Sequence, residues 1–240
     1  MRKLLVLSVV LLGAGTLTAC GQDTDRITVL AASSLTDVFG HLAKDFEADH
    51  DGVTVKNSFG GSPTLAQQVI EGAPADVIAT ASPDTMKTVT GAHMTDGKPQ
   101  VFTRNRPVLV VPPDNPGKVT GIKDLGRDKL RVALCAPKVP CGVVARDTAK
   151  AAGVTVKPDT EEENVRSVLS KVASGEVDVG VVYVTDVTKE VKSIDIPHAT
   201  TTKYQIAVVK DASPNAKAWV DFVTGPRGQK ALKDAGFTDA

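Results

Sequence analysis

Short β-branched runs alternate with helical stretches along most of this chain, and that alternation limits the fold more than any other feature. Residues 27–31 read as a strand. Ser33 to Asp37 then opens a helix in which Leu35, Val38, Phe39, Leu42, Ala43 and Phe46 recur at helical spacing. Gly52 breaks that helix before a strand over 53–59. Ser62 is next placed as an N-cap, with Pro63 at the first helical position. Further strands are expected over 76–79, 107–111, 130–134 and 177–183, and further helices around 143–152, 164–173 and 215–223. Such a sequence predicts an α/β fold with parallel sheets covered on both faces. Segments 104–111 and 203–209 read as crossings between two lobes. One lobe would hold 26–105 and 205–240, the other 106–204. A chain of 240 residues is long enough for two lobes of roughly 100 residues, each with its own core.

The first 19 residues stand apart. Arg2 and Lys3 precede an apolar run from Leu4 to Leu12, followed by small residues and the segment Leu17-Thr18-Ala19-Cys20. A basic start, a short apolar stretch and small residues read as an export signal. The run is too short to span a bilayer, which needs about 20 apolar residues. Leu-Thr-Ala-Cys resembles the lipobox of bacterial lipoproteins. The resemblance implies cleavage before Cys20, lipid on its sulfur, a tether over 20–25, and a place at the outer face of the cytoplasmic membrane. The whole chain carries 28 basic and 28 acidic residues; losing Arg2 and Lys3 leaves 26 bases against 28 acids, a net of −2. A nucleic-acid protein would show the opposite excess. Only 6 Phe, 2 Tyr and 1 Trp are present, too few for a sugar site built on stacked rings.

With Cys20 assigned to lipid, Cys135 and Cys141 remain, in Cys135-Ala-Pro-Lys-Val-Pro-Cys141. Outside the cytoplasm such a pair favours a disulfide. A metal pair and a catalytic thiol are the competing readings. Zinc asks for four ligands, and His41, His50, His93 and His198 are scattered without ligand spacing.

Candidate chemistry lies in small neutral residues at helix starts. Ser33-Ser34, Ser62, Cys141-Gly142 and Asn164-Val165 each sit where a strand gives way to a helix. A helix start carries unpaired N–H groups and a partial positive charge, so several converging on one cleft would hold an anion without a formal positive charge. Gly60 and Gly61 would let the backbone approach a ligand closely. Taken singly, each serine reads equally well as an ordinary cap.

Six segments carry a resemblance to a known family. They are Ala31-Ala-Ser-Ser-Leu-Thr-Asp37, Ser58-Phe-Gly-Gly-Ser-Pro-Thr-Leu-Ala66, Gly72-Ala-Pro-Ala-Asp76, Val139-Pro-Cys-Gly142, Glu163-Asn-Val-Arg166 and Gly180-Val-Val-Tyr-Val-Thr-Asp186. In this order and spacing the chain resembles the periplasmic molybdate-binding proteins of ABC transporters. The resemblance implies the two-lobed type II periplasmic-binding-protein fold with two interlobe crossings. It further implies capture of molybdate or tungstate in the cleft and delivery to a membrane permease, by a monomer without cofactor, bound to no nucleic acid. Carried over by motif position, Ser34 and Ser62 would donate through hydroxyl and backbone N–H, Cys141 and Val165 through backbone N–H, and Tyr183 through its phenolic OH. The only metal implied is the molybdenum of the oxyanion. Two positions depart from the family pattern: Cys141 stands where alanine is commoner, and Pro63 lacks the N–H that glycine or serine would offer. Lys138 and Arg166 flank the set and are expected to face solvent.

Other readings remain at this stage: a binding protein for sulfate, thiosulfate or another oxyanion, a lipid-anchored sensor or adhesin on the same fold, or an enzyme. Against the last, nucleophile elbows, zinc-binding helix motifs and phosphate-binding loops are absent. Asp37, Asp76 and Asp186 form no pair with suggestive spacing and read as solvated or capping acids.

Overall fold

The computed structural model describes residues 26–240. The export signal, the tether and Cys20 lie outside the described residues. Two five-stranded sheets organise the rest, one in each lobe.

The first lobe runs β1 (Arg26–Ala32), α1 (Thr36–Asp49), β2 (Thr54–Gly60), α2 (Ser62–Ile70), β3 (Val77–Thr80), α3 (Pro83–Gly91) and β4 (Thr95–Asn105). The second holds β5 (Pro107–Val111), β6 (Val132–Cys135), α4 (Pro140–Ala151), β7 (Thr160–Glu162), α5 (Val165–Ala173), β8 (Val179–Tyr183) and β9 (Lys192–Ile194). The chain then returns along β10 (Thr202–Val209) and closes the first lobe with α6 (Ala216–Thr224) and α7 (Pro226–Asp234). The strand orders are β2-β1-β3-β10-β4 and β7-β6-β8-β5-β9.

Neither sheet is purely parallel, which corrects the sequence expectation. β2, β1 and β3 pair in parallel, as do β7, β6 and β8, but β10 lies antiparallel to β3 and β4, and β5 antiparallel to β8 and β9. The physical cause is the route of the chain. The parallel strands end at the cleft, whereas β5 and β10 each arrive from the other lobe and start there: Pro107 sits opposite Tyr183, and Thr202 opposite Asn105. The return also comes earlier than expected. Thr202, Lys203 and Tyr204 already pair with β4, so these three residues belong to the first lobe.

Each sheet separates two apolar layers, and side chains alternate between them with the two-residue period of a strand. In β1, Val29 and Ala31 face the layer under α1, α6 and α7, while Leu30 faces the layer under α2 and α3. In β5, Val108 and Val110 face one layer and Leu109 and Val111 the other. Trp219 anchors the first lobe, fully buried, with Phe39 and Phe46 edge-on at 5.8 and 5.4 Å. The scarce aromatic residues are spent mainly on this core.

Cys135 at the end of β6 and Cys141 in the first turn of α4 form a disulfide with Cα atoms 5.7 Å apart. Helix α4 begins at Pro140, three residues before the sequence expectation, so Cys141 and Gly142 lie inside its first turn.

Candidate functional site

Both lobes present the carboxyl ends of their parallel strands to a shared cleft, where ligands of open α/β sheets bind. The two lobes meet around a small cavity that leaves the centre of a water-sized body about 10 Å³ in which to move. Ser34, Gly61, Ser62 and Ala81 line it from the first lobe; Val139, Cys141, Asn164, Val165 and Tyr183 line it from the second. All five residues singled out from the sequence therefore meet there: Ser34, Ser62, Cys141, Val165 and Tyr183.

Their donors follow from local structure. Ser34 lies in a 3-10 turn that links β1 to α1. Its Oγ is 2.7 Å from the Tyr204 hydroxyl. Either hydroxyl can donate in this contact. With Tyr204 as the donor, the Ser34 hydrogen is left for the cavity. Ser62 is the first helical residue of α2, and Gly61, not Ser62, is the N-cap. The serine oxygen instead accepts the Ala81 N–H at 3.0 Å. This engages its acceptor side and leaves its hydrogen to donate.

The second lobe supplies backbone. Cys141 is the second residue of α4 and Val165 the first of α5, positions whose N–H groups have no partner within a helix. Asn164 caps α5 by accepting the Ser167 N–H at 3.1 Å. Tyr183 closes the set. It is 1% exposed, and its hydroxyl finds no partner in the protein. Burial raises the Tyr183 pKa well above the ordinary tyrosine value, with Tyr204 and Asp186 adding to the effect. It therefore stays protonated and can only offer its hydrogen or a lone pair. The residues lining the cavity include no charged side chain. Converging neutral donors in a pocket without charged side chains suit an anion, because each hydrogen bond to it is charge-assisted.

Gly61 lines the cavity and has a second part besides the one expected. Its φ of −65° is open to any residue, so no special backbone conformation requires glycine. A Cβ there would fall 2.2 Å from the Glu163 carbonyl oxygen of the opposite lobe. Glycine is needed because backbone meets backbone across the cleft.

Arg166 is also corrected. It does not simply face solvent: its Nη2 lies 2.5 Å from Asp37 Oδ2 in the opposite lobe, and its Nε 3.0 Å from Asp186 Oδ1. The Nε–H points off the line to Asp186, which makes that contact an ion pair without hydrogen-bond geometry. Asp186 is likewise not solvated. Its side chain is fully buried, and Oδ2 accepts the Tyr183 N–H at 3.2 Å. Burial lifts its pKa to about 7, against the pull of Arg166. Asp76 is structural, accepting the Thr28 and Ser213 N–H groups at 2.7 Å each. Lys138 is exposed.

Sequence reasoning missed Tyr204 and Ala81, which stand behind the two serines. Tyr204 carried the one available signal, as one of only two tyrosines. No cluster of three or more His, Cys, Asp or Glu residues able to hold a metal occurs among the described residues.

Comparison with known proteins adds independent weight. The family model for bacterial extracellular solute-binding proteins matches residues 27–238. The molybdate-binding protein ModA of Mycobacterium tuberculosis is 39% identical over 223 residues, covering 90% of this chain and 85% of that protein. Among solved structures, the periplasmic molybdate-binding protein of Azotobacter vinelandii matches with a TM-score of 0.77 at 21% identity, over 89% of this chain and 99% of that one. The sulfate-binding protein SubI of Mycobacterium tuberculosis matches at 0.74 with 20% identity, over 90% and 87%. These two likenesses identify the fold as the two-lobed one of periplasmic binding proteins.

Proposed function

The chain belongs to the bacterial extracellular solute-binding protein family, and from that premise we propose that it captures molybdate, and tungstate with it, in the interlobe cleft. It then hands the oxyanion to the permease of an ABC transporter. The observation that carries this reading is the Tyr183 hydroxyl, buried without a protein partner beside helix N-termini and two serines in a cavity free of charged side chains. A tetrahedral dianion would accept from Ser34, Ser62 and Tyr183 hydroxyls and from the Cys141 and Val165 backbone. The 39% identity to a molybdate-binding protein supports the choice of ion.

The donor set also sets what is refused. A protonated phosphate must donate a hydrogen, and the Cys141 and Val165 backbone N–H groups can only donate, so it satisfies fewer of the donors than a full dianion does. Sulfate has the same shape and charge as molybdate, so selection between them rests on cavity size. The likeness in fold to a sulfate-binding protein makes sulfate the comparison to run. We place the protein outside the cytoplasm as a monomer, held at the membrane by lipid on Cys20, and assign it no catalytic step and no cofactor.

Thermal unfolding of the chain without its leader, with molybdate, tungstate, sulfate or phosphate in excess, tests the reading. A ligand at about 1,000 times its Kd stabilises by about 4 kcal/mol. Molybdate and tungstate should each raise the midpoint and phosphate should not. A shift with sulfate alone moves the assignment to sulfate, and no shift with any oxyanion ends it. Labelling with a fatty-acid analogue, abolished by Cys20→Ala, checks the anchor.

A further inference from the structure

We propose that Arg166 is a positioning residue of the cleft: it keeps the Asp186 carboxylate compatible with a bound dianion and ties the donor turn of α5 to the opposite lobe. This inference rests on the oxyanion reading above.

Three parts of the site meet at one guanidinium. Arg166 directly follows the donor Val165. Its Nε faces Asp186, three residues beyond Tyr183, and its Nη2 faces Asp37, three residues beyond Ser34. Asp186 is the difficulty this arrangement meets. A fully buried carboxylate, bonded to the Tyr183 N–H, carries the wrong sign beside an anion site. Arg166 is the cation placed against it. The groups that face Asp186 come from four elements: Arg166 from α5, Asp37 from α1, Tyr183 from β8 and Tyr204 from β10. Of these only Arg166 favours the ionised form by charge, and with it in place the carboxyl titrates at about 7. Without Arg166 the carboxyl either takes a proton or stays charged and repels the ligand, and pH decides which.

That choice gives a readout a purely structural ion pair would not move. Molybdate Kd is measured for wild type, Arg166→Gln, Asp186→Asn and the double variant. At about pH 6, where Asp186 in Arg166→Gln holds its proton, the variant should bind within about fivefold of wild type, the share lost with the interlobe Asp37 pair. Loss of the cation moves that ionisation above about 7, so the ratio of Kd values should climb as pH is raised through about 8.5 and exceed about tenfold once the unpaired carboxylate is ionised. The double variant should lose this pH dependence, and Arg166→Lys should recover most of the affinity at the higher pH. If Arg166→Gln does not fold, the Asp186→Asn arm decides: it should flatten whatever pH dependence wild-type binding shows around neutrality. A Kd ratio equal at the two pH values, or a double variant as pH-sensitive as Arg166→Gln, overturns the role of Arg166 while leaving oxyanion binding intact. Wild type that binds no oxyanion at either pH overturns the underlying reading and this role together.

Discussion

At the scale of single residues, Asp186 shows how burial rather than residue type decides behaviour. In sequence it is one acid among many, yet folding removes it from water and lifts its pKa from 3.8 to about 7. The sign follows from linkage. Below about pH 4 both folded and unfolded chains hold the proton, and the residue is neutral in its effect. As pH rises, the unfolded chain ionises first, so stability falls until the folded carboxyl ionises too, near pH 7. The loss over that window is about 4 kcal/mol. Asp186→Asn should therefore gain on wild type steadily between about pH 4 and pH 7, measured by denaturant unfolding without ligand. A stability difference that is flat across the window would show that Asp186 is ionised, and well paired, throughout. That Ser34, Ser62, Cys141, Val165 and Tyr183 share one cleft was legible because their character is local: serine, tyrosine and helix starts are visible in a string of letters. Arg166 and Asp186 were not, because what makes them unusual is a partner 129 positions away in one case and loss of solvent in the other.

At the scale of elements, helix starts were legible and their fine placement was not. Asn164 sits at the N-cap of α5 as its type requires. Ser62 does not cap α2, because Ala81, 19 residues on, claims its oxygen, and Gly61 takes the N-cap position. Pro140 starts α4, although two prolines in seven residues read more readily as a turn. Helix α3 escaped notice despite Ser82 and Pro83 supplying a regular start, since its apolar face is only Met86 and Val89. The disulfide belongs to this scale because it joins the end of β6 to the first turn of α4 and so fixes where the Cys141 N–H points. Closing so short a loop contributes about 2 kcal/mol in the chain-entropy model. Reduction, or a Cys135→Ser and Cys141→Ser pair, should lower stability by about that amount and weaken molybdate binding, since a loosened turn must be ordered again on binding. Binding unchanged after the bridge is opened would mean that the packing of α4 alone holds the donor in place.

At the scale of the molecule, the α/β class was written in the alternation of strands and helices, but the direction of two strands was not. β5 and β10 look like any other apolar run; they are antiparallel because the chain enters each sheet from the cleft side, a fact of route rather than of composition. The same route puts Asp37 and Arg166 on different lobes, so their ion pair bridges the cleft. Asp37 is 65% exposed, which limits the pair to the range of about 0–1 kcal/mol found for surface bridges. That small energy acts on one step alone. On the proposed function, with lobes that part for entry and release, the pair is unmade at entry and must break before the ligand leaves. Asp37→Asn should therefore leave the association rate as it is and speed release by up to about fivefold. Because the pair is exposed, the difference from wild type should shrink as salt is raised from low ionic strength to about 1 M, where charges are screened within about 3 Å. Stopped-flow release of molybdate at several salt concentrations reads both effects. Equal release rates at low salt would show that the lobes are held together by the ligand and by the close backbone contact at Gly61, with no help from the ion pair.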